Sequence, residues 1–193
     1  MALEYTDHRA DPAAWAAELG ISREAVELHL ASDVLDLHLN SFIWRRVFGY
    51  DLTKRHGKGL LRGSFYSQVD FPRVLEAGLT GATWIITTNP LRGARGRERT
   101  FVKNLARLRA IFAQVGEQFA VVKNASEYDA ARAAGKHAAF IGIQGGNALD
   151  REPDALDSIA DDLVLRITLV HLSSSTLGTT SSMDPSTVSK RAV

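Results

Sequence analysis

Short apolar runs alternate with helix-like stretches along most of this chain. The apolar runs are bounded by polar or turn-forming residues, which is typical of buried strands. Five such strands are predicted, at residues 33–38, 81–88, 119–122, 138–143 and 163–170. Helix-like segments separate them, and strands that alternate with helices predict a parallel α/β sheet. The working face of such a sheet lies at the carboxyl ends of its strands.

Capping residues set the expected limits of the helices. Asp11-Pro12 has the chemistry of a helix start and Gly20 that of a stop, so we expect a helix between them. Ser22 should cap a second helix that runs to about Ala31. Thr100 should cap a long amphipathic helix, with its apolar face formed by Phe101, Leu105, Leu108 and Phe112. Shorter helices are expected at 70–77, 126–134 and 153–159.

Composition narrows the function classes. The 23 Lys and Arg residues against 22 Asp and Glu leave a formal net charge of +1, which argues against nucleic-acid binding. No apolar run approaches the ~20 residues of a membrane helix. The chain has no Cys, so any metal must be held by His and carboxylates. The amino terminus carries acids where a secretory signal needs basic and apolar residues, so we expect a cytoplasmic protein.

The first predicted strand ends in a polar signature. Residues two apart in an extended segment share a face, so Asp36, His38 and Asn40 should point the same way. A carboxylate, an imidazole and an amide oxygen on one face can bind a divalent metal, with the imidazole oriented by a further acceptor. The alternative is that Asp36 and His38 pair with neighbouring side chains.

Two later strands also end in polar residues. Gln144 follows a buried run and projects an amide, while Gly145 and Gly146 permit a sharp turn and a close approach of the backbone to a ligand. An ordinary turn is the alternative for the glycines. His171 ends the last strand and is either a hydrogen-bonded structural residue or part of a site. Three polar signatures at three strand ends together favour a site.

These motifs resemble those of a known family. The segment GKHAAFIGIQGG, residues 135–146, followed by LRITLVH, residues 165–171, resembles the "GK-A-IG-EGG … R-LTL-H" pattern of the membrane (renal-type) dipeptidases, peptidase family M19. DLHLN, residues 36–40, resembles their "D-x-H-x-D" opening motif, and the start resembles that of bacterial homologues. Order and spacing agree over roughly 135 residues, from Asp36 to His171.

The resemblance implies a metal-dependent (β/α)₈ hydrolase, of the TIM-barrel type, in which two zinc ions activate a hydroxide that attacks the amide of a dipeptide. By position, His38, Asn40 and Gln144 would be metal-site residues. Asp36 would contact these residues without binding the metal itself. His171 would contact the substrate or its tetrahedral intermediate as a catalytic residue. Gly145 and Gly146 would line the substrate.

Two of these positions depart from the family pattern. Asn40 stands where the family has Asp, and Gln144 where it has a bridging Glu. Each change removes a negative charge, and a neutral amide oxygen is a poorer zinc ligand than a carboxylate. We therefore expect no tight pair of zinc ions.

The resemblance also divides the chain. A helical extension covers residues 1–32, a partial barrel covers 33–171 and a Ser/Thr-rich loop or tail covers 172–193. A (β/α)₈ barrel typically takes about 250 residues. We therefore expect an incomplete barrel of about five of the eight strands, and weak or no activity of this chain alone.

Two functions remain open from the sequence. The first is part of a dipeptidase-like hydrolase of short peptides or related small amides, forming a homo-oligomer and binding neither nucleic acid nor membrane. The second is an inactive scaffold that binds a small ligand or a partner.

Two Gly-interrupted basic segments, residues 54–59 and 92–97, are expected to be loops. An Arg of the second segment could hold a peptide carboxylate, and an apolar side chain could pack against Trp44, Tyr66 or Trp84.

Overall fold

The computed structural model describes residues 1–57, 68–88, 92–149, 163–172, 174 and 176–180. Its helices are α1 (Pro12–Leu19), α2 (Arg23–Ala31), α3 (Phe42–Phe48), α4 (Phe71–Glu76), α5 (Ala94–Gln114) and α6 (Ala125–Ala133). Its strands are β1 (Leu35–Leu39), β2 (Gly81–Thr87), β3 (Phe119–Val121), β4 (His137–Gln144) and β5 (Val164–Thr168). The described ranges also hold 3₁₀ helices at His8–Ala10 and Gly146–Leu149. The predicted helix 153–159, Tyr66 and most of the tail lie outside the described residues.

The five described strands form one parallel sheet, which confirms the predicted α/β class. β4 pairs with β2 over its whole length, from Ala138 opposite Gly81 to Gln144 opposite Thr87. Two strands share its other edge. β3 pairs with the amino-terminal part of β4, and β5 pairs with the carboxyl-terminal part. β3 therefore ends halfway along β4, and the order at the carboxyl edge is β1-β2-β4-β5.

Side-chain caps begin the predicted helices where expected. The Asp11 carboxylate accepts from the Ala14 N–H at 2.9 Å, and the Ser22 hydroxyl accepts from the Ala25 N–H at 3.2 Å. The Asp70 carboxylate accepts from the Arg73 N–H at 3.0 Å at the start of α4. These are local contacts between residues three apart, so the sequence alone can predict them.

The start of α5 differs from the prediction. The helix begins at Ala94, and its cap is Gly93 where Thr100 was predicted. Most of the basic segment 92–97 is therefore helical and not a loop. Arginine is a good helix former, and the single Gly96 is tolerated inside the helix. The predicted apolar face is correct, since Phe101, Leu108 and Phe112 are buried. α3 and the 3₁₀ helix Gly146–Leu149 were not predicted.

β1 is less buried than predicted. Only Leu39 of its five residues is buried, and Leu37 is 67% exposed. Among the described residues β1 pairs with β2 alone, so one of its edges carries no neighbour. A strand at the edge of a sheet gains little cover from the helices that pack over the centre.

The main core lies between the sheet and the helices that follow β1 and β2. Its centre is an aromatic cluster in which Trp84 of β2 meets Phe71 edge to face at 5.2 Å and Phe112 at 5.5 Å. Trp84 is fully buried, so it belongs to the core and not to a ligand pocket. No helix among the described residues is long and apolar enough to cross a membrane.

His137, at the start of β4, is a buried residue with both ring nitrogens bonded. Its Nδ1 donates to the Leu79 carbonyl at 2.9 Å, and its Nε2 accepts from the Trp84 indole N–H at 3.3 Å. A ring held in this way must be neutral, because Nε2 needs its lone pair. Burial lowers the pKa of His137 to about 4. His137 is therefore a structural histidine far along the strand from the carboxyl edge.

Candidate active site

Strand ends bring the predicted site residues to one edge of the sheet. Asn40 follows β1 directly, Thr87 ends β2, Gln144 ends β4, and His171 lies three residues after β5. Because all the strand pairs are parallel, these ends meet at the carboxyl edge.

Asn40, Thr87 and Gln144 form a neutral hydrogen-bond network at this edge. The Asn40 amide Nδ2 donates to Gln144 Oε1 at 3.0 Å. The Thr87 hydroxyl donates to Asn40 Oδ1 at 2.5 Å and lies 3.3 Å from Gln144 Oε1. Both amide oxygens are thus accepting hydrogen bonds from neighbours in this chain. The two positions that depart from the family pattern are thus hydrogen-bonded directly to each other.

His38 has an arginine at its imidazole. Arg166 of β5 donates from Nη2 to His38 Nδ1. A guanidinium can only donate, so Nδ1 carries the lone pair and the neutral ring carries its proton on Nε2. Asp36 instead accepts from the backbone N–H of His38, at 2.8 Å. The imidazole is therefore oriented by a cation, and the supporting role of Asp36 stays a prediction.

His171 has a polar atom without a partner. Its Nδ1 is buried and forms no hydrogen bond with the described residues. Burial lowers the pKa of His171, and the nearby His38 lowers it further. A neutral histidine with an unsatisfied nitrogen beside His38 is suited to meeting a ligand. Its catalytic role stays a prediction.

The two glycines after β4 are required by close packing within the chain. Gly145 has φ +101°, and a Cβ there would lie 2.2 Å from the Thr88 hydroxyl. That hydroxyl donates to Asn147 Oδ1 at 2.6 Å. At Gly146 a Cβ would lie 2.7 Å from the Leu169 carbonyl oxygen. The close approach seen here is to the chain itself, and a role of the glycines in substrate binding stays a prediction.

Gly145→Ala should destabilise the fold more than Gly135→Ala does. Both residues have positive φ, but nothing lies within 4 Å of a Cβ at Gly135. Gly135→Ala, the control, should lower the free energy of unfolding by about 1–2 kcal/mol because of backbone strain. Gly145→Ala should cost a further ~1–3 kcal/mol, because it also displaces the buried Thr88 hydroxyl from its bond. Urea unfolding of the two variants measures the difference. Equal losses would contradict the role given to close packing at Gly145.

Three site residues were not predicted: Arg46, Thr87 and Arg166. Thr87 is the last residue of its strand, a signal that the sequence does contain. Arg46 of α3 donates to the Thr87 carbonyl. Burial lowers the pKa of the Arg46 guanidinium, and Arg92 and Arg107 lower it further. Arg46 therefore brings a cation to the end of β2, in a helix that was not expected.

The basic segment at the start of α5 has a structural use. Arg97 Nε donates to the Asn147 carbonyl at 2.9 Å, and its Nη1 donates to the Arg92 carbonyl at 2.6 Å. Arg97 thereby ties α5 to the turn after β4. The holding of a peptide carboxylate by this segment stays a prediction.

The donor set fits a zinc pair poorly. Zinc in proteins binds imidazole, thiolate and carboxylate ligands. Here the two amide oxygens accept hydrogen bonds from side chains of the chain, and His38 Nδ1 accepts from a guanidinium. Within the described ranges, no three His, Cys, Asp or Glu side chains are grouped so as to hold a metal ion. The expectation of no tight zinc pair stays a prediction.

Solved structures share the fold. The probable dipeptidase PvdM from Pseudomonas aeruginosa superposes with a TM-score of 0.61 at 16% identity, over 78% of this chain and 37% of that one. A metallopeptidase from Rhodobacter sphaeroides, liganded with a phosphinate mimic of the dipeptide L-Ala-D-Ala, gives 0.58 at 18% identity, over 72% and 45%. A dipeptidase described as a metallopeptidase of family M19 gives 0.57 at 19% identity, over 72% and 42%.

The sequence itself matches a family model. This chain spans 37–45% of the length of these three structures. No curated protein sequence matches it. The model of the membrane dipeptidases, peptidase family M19, matches residues 22–192. Members of this metallopeptidase family use metal, and the strand order at the carboxyl edge agrees with a partial barrel of their kind. The chain therefore belongs to the membrane dipeptidase family, peptidase family M19.

Proposed function

We propose that this chain is part of a dipeptidase-type hydrolase of short peptides, with its site at the carboxyl edge of β1, β2, β4 and β5. One observation carries the proposal. Asn40 and Gln144, which lie 104 residues apart in the chain, meet at 3.0 Å at this edge. They stand at the two positions where the family resemblance puts metal ligands, and their contact supports a site at this edge.

The substrate class follows from the family and from one neighbour. The Rhodobacter sphaeroides structure holds a mimic of L-Ala-D-Ala, which makes this dipeptide the natural first ligand to test. In this proposal His171 contacts the peptide through its unpartnered Nδ1, and the backbone at Gly145 and Gly146 lies beside it. Zinc, the family's usual metal, is expected to bind weakly here, because the amides supply no charge.

A second candidate is a scaffold that binds a short peptide without cleaving it. The Asn40–Thr87–Gln144 network favours it, since both amide oxygens accept hydrogen bonds from side chains of this chain. Catalysis of amide hydrolysis needs an activated water and a stabilised oxyanion. None of the three network residues is a carboxylate or an imidazole that could activate water.

L-Ala-D-Ala hydrolysis and binding by the 193-residue chain, with and without zinc, separate the two candidates. We expect binding with turnover that is slow at most. His171→Gln should abolish any turnover, and His8→Gln, a histidine of the first 3₁₀ helix, is the matched control. Turnover lost only in His171→Gln supports the hydrolase, and binding without turnover supports the scaffold. Absence of dipeptide binding would contradict both.

A further inference from the structure

Hydrogen-bond donors dominate the carboxyl edge of the sheet. The Asn40 and Gln144 oxygens both accept bonds from within the chain. The second Asn40 N–H and both Gln144 N–H groups have no partner among the described residues. Where Asp and Glu would present only acceptors to a cation, the two amides present three free N–H donors. This inventory suits a ligand that accepts hydrogen bonds.

Arg166 adds a positive charge with unused donors. It is partly buried on β5, and its one hydrogen bond within the described part of the chain is to His38 Nδ1. A guanidinium has five N–H groups in a planar fork, so most of them remain available to a ligand. The fork matches the two oxygens of a carboxylate.

His38 also presents a donor because of Arg166. With Nδ1 accepting from the guanidinium, the proton of the neutral ring lies on Nε2. His171, which lies near His38, adds a buried nitrogen that lacks a partner. An unsatisfied buried polar atom carries a free-energy cost that a bound ligand can remove.

The charges around this cluster are mostly positive. Arg46 lies at the end of β2 and Arg166 on β5. The one acid of β1 is Asp36, whose Oδ1 is bonded to the His38 backbone N–H. Among the described residues of this cluster, two guanidiniums against one carboxylate leave a net positive charge.

We infer that the cluster of Arg166, His38 and the free amide N–H groups of Asn40 and Gln144 binds a carboxylate of the ligand. The cluster thus takes an anion at the positions where the family resemblance puts a metal. The inference rests on the proposed function for one point, that the ligand is a short peptide. It adds the place at which the carboxylate of that peptide is bound.

Isothermal titration calorimetry of the 193-residue chain with Ala-Ala, Ala-Ala amide and acetate tests this. The two peptides differ only in the carboxylate. We expect Ala-Ala to bind about tenfold tighter than its amide, which corresponds to one charge-assisted contact. Arg166→Gln should remove the preference. Arg109→Gln, an exposed arginine of α5 that has no hydrogen bond or ion pair with described residues, should keep it.

The outcomes separate this inference from the proposed function. Equal binding of both peptides by the unaltered chain overturns the carboxylate site and leaves a peptide site. Acetate binding that is lost in Arg166→Gln, with neither peptide bound, supports the carboxylate site and contradicts the dipeptide function. A preference that survives in folded Arg166→Gln also overturns the inference. Circular dichroism checks that fold, and the comparison of the two peptides on the unaltered chain needs no variant.

Discussion

Replacing both amides by carboxylates, Asn40→Asp together with Gln144→Glu, should destabilise the chain without metal and make it stabilised by zinc. The Asn40 Nδ2 to Gln144 Oε1 bond of 3.0 Å would become a contact between two carboxylate oxygens. Two carboxylates so close cannot both ionise without a cation between them. Together with the loss of this hydrogen bond, the repulsion should lower the free energy of unfolding by about 2–4 kcal/mol.

Zinc should reverse much of this loss. The double variant offers two carboxylates and His38 at one edge, which is the ligand chemistry that zinc prefers. Zinc at about 100 times its dissociation constant adds about 2.7 kcal/mol to the free energy of unfolding. Urea unfolding with zinc or with a chelator measures both effects.

The matched control adds the same two charges elsewhere. Gln68→Glu and Gln114→Glu both lie at exposed positions, and neither glutamine side chain has a hydrogen bond with described residues. This control should show neither the loss without metal nor the gain with zinc. If the unaltered chain gains as much from zinc as the double variant, the interpretation of Asn40 and Gln144 as a metal-free network is wrong.

Acidification should destabilise the chain through His137. The pKa of this buried ring is about 4 in the folded state, whereas a free histidine titrates at about 6.5. Between these values the unfolded chain binds a proton that the folded chain does not. The stabilising effect is therefore complete above pH 6.5 and is lost as the pH falls towards 4. The loss should be roughly 3 kcal/mol in the free energy of unfolding.

His137→Gln isolates this contribution. A glutamine is neutral over the whole range and can still accept from Trp84, so the variant should lose stability at pH 7 but show a flatter dependence between pH 4 and 6.5. Urea unfolding at several pH values gives the slope. The His8 ring stacks on Trp15, with their ring centroids 4.6 Å apart, instead of lying in the core. His8→Gln should therefore keep the slope of the unaltered chain. An unchanged slope in His137→Gln would show that another group causes the acid dependence.

Local contacts explain which parts of the fold could be predicted. The caps at Asp11, Ser22 and Asp70 join residues three apart, so they are encoded within one turn of chain. The apolar spacing of α5 likewise predicted its buried face. The start of that helix was misplaced by seven residues, since Thr100 is a good cap by type but the cap in the structure is Gly93. The capping preference of Thr100 was therefore outweighed by the helix that Ala94 to Arg99 form before it.

Burial of the strands depended on what lies beside them. The composition of β1 predicts a buried strand, yet only Leu39 is buried. The reason is that β1 lies at the edge of the described sheet. The five predicted strands all exist, but β3 ends at the level of Ala139 and leaves four strands at the carboxyl edge. Neither fact is visible in a hydrophobic pattern, which describes one strand at a time.

The sequence by itself determined the fold class, the family and the positions of the strand-end residues, because periodicity, caps and motifs depend on neighbours along the chain. Only the tertiary structure decided what those residues do to one another. β2 pairs with both β1 and β4, which brings Asn40 and Gln144 into one hydrogen bond, and β5 beyond β4 carries Arg166 to His38. Contacts between residues more than a hundred positions apart depend on strand order and register, and these decide that the two amides bind each other and leave N–H donors free.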